Sequence, residues 1–392
     1  MSLATGQSVA VDLSAAPAID VSTRRIAPLD GLRGLAALLV VFAHYFGEVP
    51  NGFRALTAGW LGVDVFFVLS GFLIGSVILA NKGAPNFLVV FCARRACRIV
   101  PIYLVTVLSC FLFIGWFGLD RPWVDPPLPF LSYATFTQNI VMAWQDHARN
   151  SWLLPTWTVA VEEQFYLLAP LLLLWTPPRH LVKAAVCCMG AAVLFRAAIY
   201  LSADRNDILA LVLLPSRWDL LFSGVLAAII ARGDWLKKAG RETVLRILPL
   251  VCVLTLLFVL LLDPRRESKW FEILAPLMIG IGSAAFILGI ARGAPYGDAL
   301  QAPILVFFGS ISYGLYLIHQ PVAGVLHGVI LGQRPDIGTL AQAGVTVLAL
   351  AASVALAAAS WRMLESPFLR LGRSWRYGAI TRRPQIASRP SP

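Results

Sequence analysis

The sequence predicts an all-α integral membrane protein of about ten transmembrane helices, with both termini in the cytoplasm. Three observations carry this prediction. Of the 392 residues, 58% are hydrophobic and only 14% charged, and the mean hydropathy is +0.74. A soluble domain is roughly 25% charged and at most half apolar, so lipid must cover side chains that no single core could hold. Ten stretches are long and apolar enough to span a bilayer, and the basic residues fall mainly in alternate connections between them.

A span needs about 20 mostly apolar residues. The qualifying segments are 30–49, 60–80, 99–118, 153–175, 181–201, 209–230, 246–262, 270–291, 303–330 and 339–361. Two are less clean: 209–230 contains Arg217 and Asp219, and 303–330 is long enough to be tilted or broken. With the N-terminus inside, ten spans return the C-terminus inside, and cytoplasmic segments then hold 21 of the 32 Lys and Arg residues against eight in external loops. That asymmetry is the positive-inside signature.

Residues 1–25 contain Asp12 and Asp20 and no continuous apolar core, which excludes a cleavable signal peptide. They read as a disordered cytoplasmic tail, with the first span acting as its own signal anchor. Residues 26–371 form the transmembrane domain and 372–392 a basic cytoplasmic tail. The longest external loop, 119–152, carries Pro126, Pro127, Pro129, Thr135, Thr137, Gln138 and Asn139. It is too polar to span and is expected to lie on the outer membrane face or to form a lid.

The composition also excludes function classes. The net charge of +11 is dispersed in short loops, and no basic, aromatic-interleaved domain exists to grip a nucleic acid. The six cysteines fall in apolar runs or their flanks without a CxxC, which indicates neither a disulfide framework nor a metal site.

Charges inside a membrane are costly, so each calls for a reason. Arg33 and His44 lie eleven residues apart in the first span, about three helical turns, and share a face about 16 Å apart along the axis. Histidine titrates near neutrality and suits general-base work, although a core histidine bonded to a neighbouring helix fits the pattern equally well. Asp30 is close enough in sequence to pair with Arg33 or to cap the helix. Asp64, in GVDVFFVLSGF, is expected near the depth of His44, where it either orients the imidazole or caps the second span. Arg95 and Arg98 are i,i+3 at the cytoplasmic edge. They are either a topological anchor or a clamp for a phosphorylated ligand.

In PTWTVAVEEQFY, Thr158, Glu162 and Tyr166 form an i,i+4 stripe while Glu163 points roughly 100° away. Two carboxylates entering a membrane helix argue for function. Arg217 and Asp219 are i,i+2 and should reach partners on other helices rather than each other. His319 closes the run SYGLYLIH, and His327 reads as a packing residue.

Together these motifs resemble the acyltransferase 3 family, membrane O-acyltransferases of bacterial surface polysaccharides, Nod factors and antibiotics. The resemblance runs from Leu29 to Leu371. It rests on LDGLRGLAALLVVFAHYF with its arginine-x10-histidine spacing, GVDVFFVLSGFLIG, the Arg95–Arg98 pair, PTWTVAVEEQFYLL, SYGLYLIHQPV and LESPFLRLG, in that order. It implies transfer of an acyl group, usually acetyl, from cytoplasmic acyl-CoA to a hydroxyl of an extracytoplasmic glycan or lipid-linked sugar, at the bacterial inner membrane.

It further implies His44 as base, assisted by Asp64 or Glu162, and Arg95 and Arg98 as CoA contacts with Arg33 along the donor's inlet. Thr158, Tyr166, Arg217 and His319 become candidates for substrate binding. Acyl-CoA is a co-substrate, and no permanently bound cofactor is expected. Thr158 departs from the usual serine but keeps the hydroxyl. The chain ends soon after the tenth span, so no fused extracytoplasmic hydrolase-like domain is expected. Direct transfer and an acylated-enzyme intermediate both remain open. The alternative function is a proton-coupled transporter or flippase, which intramembrane Arg, His, Asp and Glu also suit.

Overall fold

The computed structural model describes residues 27–146, 151–203, 206–233, 241–262 and 268–378, and all regular structure among them is helical. The expected N-terminal tail and the basic tail beyond residue 378 lie outside the described residues. Among the described residues, nine helical segments are long and apolar enough to cross a membrane. They correspond to nine of the ten expected spans. The remaining one lies in a helix over Arg241–Leu262, whose apolar described stretch is Arg246–Val259.

The first span is α1 (Ala27–Phe42), extended by a π-helical turn over Ala43–Gly47. A 3-10 turn at Arg54–Trp60 leads into α2 (Leu61–Asn81). The third helix, α3 (Phe87–Phe117), is 31 residues long, so Arg95 and Arg98 lie on a helix and not in the connection expected over 81–98. After α4 (Gln138–Gln145) come α5 (Thr156–Trp175) and α6 (Leu181–Tyr200).

The stretch 209–230 is broken. A short helix ends at Val212, a 3-10 turn covers Leu214–Arg217, and α7 runs from Trp218 to Arg232. Pro215 cannot donate a backbone hydrogen bond and sits at the start of that turn, which accounts for the interruption. The remaining helices are α8 (Arg241–Leu262), α9 (Lys269–Ala291), α10 (Pro303–Leu331), α11 (Leu340–Ser360) and, beyond a second π turn, α12 (Ser366–Ser374). The long segment 303–330 is one continuous helix, opened by Pro303 and closed by Gly332 at φ +66°. Thr339 and Gln342 form a reciprocal capping box at the start of α11.

Large apolar side chains stand outward along the bundle, and Trp116, Trp144 and Trp175 are at least 80% exposed. Such a surface suits lipid, with tryptophans near helix ends where a bilayer interface would lie. The connections gather at two ends. At one, the basic end, Arg94 donates to the Trp375 carbonyl (2.7 Å) and Arg292 to that of Ala231 (3.0 Å). At the far end, Arg334 pairs with Asp125 (2.6 Å) and Asn51 with Asp336 (3.1 Å).

Described residues of the loop 119–152 reach into the bundle. Gln138 and Asn139 are fully buried: Gln138 donates to the Tyr103 hydroxyl (3.1 Å) and the Thr156 carbonyl (2.8 Å), and Asn139 exchanges hydrogen bonds with Gln164. Apolar surroundings make an unpaired amide expensive, so these polar residues turn inward to partners on α3 and α5.

Two features set the helix positions around the site. The first is the close approach of α1 and α10, which run parallel. A Cβ added at Gly31 or Gly34 would meet backbone of Leu300, Leu305 or Gly309, and one at Gly309 would meet that of Asp30. The glycines let the two backbones touch, as small residues do between membrane helices. The second is Arg196, which is 1% exposed. It donates to Asp219 Oδ2, the Ser216 carbonyl and twice to the Ile273 carbonyl, tying α6, the broken segment and α9 together. Arg217 and Asp219 indeed reach separate partners, Asp64 and Arg196.

Two stability outcomes follow. Gly34→Leu sets a side chain against backbone that cannot yield, and should lose at least the roughly 1–3 kcal/mol typical of overpacking. Asp219→Asn strands a buried guanidinium and should cost about 3–5 kcal/mol. Thermal unfolding followed by size-exclusion chromatography in detergent checks both; wild-type melting in either variant contradicts the packing described.

Candidate active site

Five helices enclose a cavity that begins near the basic end. α1 contributes Arg33; α2 contributes Val63, Phe66, Phe67 and Ser70; α3 contributes Arg95 and Arg98. Thr158, Glu162 and Tyr166 line it from α5, and Ser312, Tyr313 and Tyr316 from α10. Six of the residues singled out by pattern therefore share one cavity: Arg33, Arg95, Arg98, Thr158, Glu162 and Tyr166. Their convergence is geometric, since the i,i+4 stripe of α5 and the i,i+3 pair of α3 each present one face to the same space.

Charge in the cavity is unequal. Three guanidinium groups face it, and Glu162 is its one carboxylate lining residue. Arg33 is 3.8 Å from Asp30 one turn earlier, and Arg95 lies over the Phe91 and Tyr166 rings at 6.0 and 5.8 Å. Glu162 ends a directed chain. A carboxylate only accepts, so Tyr166 donates to Glu162 Oε2 (3.2 Å), and Ser70 then donates to the Tyr166 oxygen (2.6 Å). Glu163 points away from the lining, and its Oε1 is buried without a hydrogen-bond partner among the described residues.

Beyond the far wall of the cavity lies a histidine pair. His44 Nδ1 is 2.7 Å from His319 Nε2, and the two rings are within 4° of parallel with centroids 5.0 Å apart. That separation equals the N···N distance plus the two ring radii, so the rings lie edge to edge in one plane and are not stacked face to face. Such an arrangement is a linear N–H···N hydrogen bond.

Its direction follows from the surroundings. His319 Nδ1 is 3.2 Å from the Leu315 carbonyl, which only accepts, so His319 carries its proton on Nδ1 and accepts at Nε2. His44 therefore donates from Nδ1, and its Nε2 bears a lone pair. Glu48 Oε2 stands 3.5 Å from that nitrogen, at a 44% exposed side chain.

The π turn contributes here. Glu48 N–H bonds back to the Ala43 carbonyl, five residues earlier, and the widened turn holds both His44 and Tyr45 toward α10. Tyr45 donates to the His319 carbonyl (2.6 Å) and accepts from Ser353 (2.8 Å), which locks the pair from the side.

The partner of His44 Nδ1 is His319, and Asp64 pairs with Arg217. Because α2 runs antiparallel to α1, Gly62 already packs at the level of Ala36 and Val40, and Asp64 descends further from His44. Its carboxylate is 3.8 Å from Arg217, which also donates to the Leu211 carbonyl (2.8 Å) and lies over Trp157. His327, as expected, is a packing residue bonded to Thr346 (2.9 Å).

The family model for an acyltransferase domain, that of acyltransferase 3, matches residues 26–361. The chain belongs to this family. Among its curated relatives, the peptidoglycan O-acetyltransferase OatA of Listeria monocytogenes is 26% identical over 367 residues, covering 90% of this chain and 57% of the relative. A putative O-acetyltransferase of Staphylococcus aureus is 26% identical over 89% of this chain and 58% of its own length. The O-acetyltransferase OatA of the same organism is 25% identical over 378 residues, 90% of this chain and 58% of the relative. The chain thus spans somewhat over half the length of these relatives.

In this acyltransferase domain the arginine-x10-histidine motif does not build one site by itself. Arg33 faces the cavity while His44 belongs to the pair beyond it. Pattern reading missed Glu48, Tyr45, Ser70, Ser353 and Tyr316. Of these, only Tyr316 carried a signal, three residues before His319 on the same helix face.

The tautomers are testable by 15N NMR of histidine-labelled protein in nanodiscs, with variants assigning the five histidines. Both His44 and His319 should appear as neutral Nδ1–H forms, and an Nε2–H signal from His319 would reverse the bond.

Proposed function

We propose that the chain is a membrane O-acyltransferase of the bacterial cytoplasmic membrane. In this reading it moves an acetyl group from cytoplasmic acyl-CoA to a hydroxyl of an extracytoplasmic glycan. The observation that carries the proposal is the order of groups along one path: three guanidiniums at one end of the cavity, and beyond its other end a histidine with a lone pair at Nε2. The O-acetyltransferase relatives, one of them named for peptidoglycan, support both the reaction class and a glycan acceptor.

Arg95 and Arg98, with Arg33 beside them, would hold the phosphates of CoA, because forked guanidiniums match phosphate oxygens. The pantetheine arm would pass between α2, α3, α5 and α10. At the far side, His44 Nε2 would take the proton of the attacking hydroxyl as its oxygen adds to the thioester carbon. His319 holds the ring by accepting from Nδ1, and the Glu48 carboxylate would stabilise the imidazolium that forms. The C–S bond then breaks, sulfur leaves with the electron pair, and the imidazolium returns the proton to it. The basic end would face the cytoplasm, in keeping with the Lys and Arg asymmetry.

Purified protein with labelled acetyl-CoA distinguishes this reading from a transporter, which would release no CoA. His44→Gln should lower transfer about 10²–10⁴-fold at equal protein folding. Arg98→Ala should raise the KM for acetyl-CoA with a smaller effect on kcat. Unchanged turnover in His44→Gln sinks the catalytic assignment.

A further inference from the structure

Tyr316 stands between the cavity and the histidine pair. It lines the cavity, is 8% exposed, and its ring centroid is 5.9 Å from that of His319 and 6.2 Å from that of Phe66. Its hydroxyl lies 3.0 Å from Thr158 Oγ1, which is itself 2.9 Å from the Pro155 carbonyl. Thr158 has one proton, and a carbonyl accepts only. Thr158 is the donor in both contacts, sharing that proton between the Pro155 carbonyl and the Tyr316 oxygen, so the Tyr316 proton is not spent on Thr158.

This places at the end of the cavity a phenol that accepts from Thr158 and keeps its own O–H to give. The neighbouring phenols are committed otherwise. Tyr166 donates to the Glu162 carboxylate, Tyr45 to the His319 carbonyl and Tyr313 to the Ile99 carbonyl. Hydrogen bonds to charged acceptors are the stronger ones, and a lost bond to a buried carbonyl leaves an unsatisfied group. The Tyr316 proton is the one not committed in this way, because Tyr316 accepts from Thr158, and Thr158 keeps its bond to Pro155 when Tyr316 turns away.

We infer that Tyr316 is the oxyanion donor of the acyl-transfer reaction, with Thr158 as its resting partner; this rests on the acyltransferase reading above. As the acceptor oxygen adds to the thioester carbon, the carbonyl π electrons move onto oxygen. Tyr316 donates its O–H to that oxygen without giving up the proton. When the carbonyl re-forms, the C–S bond breaks, and sulfur takes the electron pair and then the proton held by His44. A donor aimed where charge develops in a water-poor site stabilises the transition state more than the ground state. The position of Tyr316 one turn from His319 keeps that donor beside the base.

The experiment uses the full chain in nanodiscs, acetyl-CoA and a soluble N-acetylhexosamine oligosaccharide as acceptor, read as CoA thiol release and acetylated sugar. Tyr316→Phe keeps the ring and should lower kcat about 10²–10³-fold while the KM for acetyl-CoA changes less than about threefold. Replacing Tyr316 by 3-fluorotyrosine keeps the fold and makes the phenol a stronger donor, so kcat should shift with KM unchanged. Retained kcat in Tyr316→Phe overturns the inference while leaving acyl transfer intact, as does a loss expressed only in KM. Should Tyr316→Phe not fold, an unshifted kcat in the fluorotyrosine protein overturns it equally. Absence of CoA release by wild type overturns the acyltransferase reading and this inference with it.

Discussion

The backbone contact between α1 and α10 is the constraint on which the rest of the site depends. Gly31, Gly34 and Gly309 leave no side chain between the helices, so the two run parallel in direct contact. Parallel contact fixes their relative depth. With Gly34 against Leu305 and Gly309, ten further residues along each helix bring His44 opposite His319. The same contact turns Arg33 toward the cavity and brings Tyr313 and Tyr316 to its opposite wall. In a bilayer, where apolar surface alone drives no helix association, such close packing is a main source of specificity.

The second organising rule is that buried polar groups must be paired. Arg196 with Asp219, and Gln138 and Asn139 with α3 and α5, meet it away from the cavity. These are structural uses of polarity, and they hold the broken segment before α7 and the connection around α4 within the bundle. The cavity differs. Its lining carries three guanidiniums against one carboxylate, an excess of positive charge that a phosphorylated ligand would balance. The difference sets the cavity apart from the braces, as the proposed donor site would require.

The histidine pair also has a distinctive chemistry. In many hydrolytic sites a carboxylate orients the base and stabilises its charged form at once. Here a neutral imidazole does the orienting, and the nearest carboxylate, Glu48, approaches the other nitrogen from the exposed side. In the proposed reaction, orientation and charge stabilisation would therefore be divided between a buried residue and a surface one. That division would put the charged group where a hydrated acceptor would arrive, and keep the interior of the bundle uncharged.

The sequence by itself determined the membrane class, the spans and most of the cavity. Apolar length is a property of local sequence, and i,i+3 or i,i+4 spacing settles which side chains share a helix face. Hence Arg95 with Arg98, and Thr158 with Glu162 and Tyr166, were legible before any contact was known. Arg33 and His44 were legible as a face but not as parts of two neighbouring sites. What only the tertiary structure decided was partnership across helices: His319 and not Asp64 beside His44, Arg217 beside Asp64, Arg196 beside Asp219, and Tyr316 on Thr158. Those pairings depend on relative helix depth and direction. Depth and direction come from glycine contacts between helices far apart in the chain, which periodicity within one helix does not report.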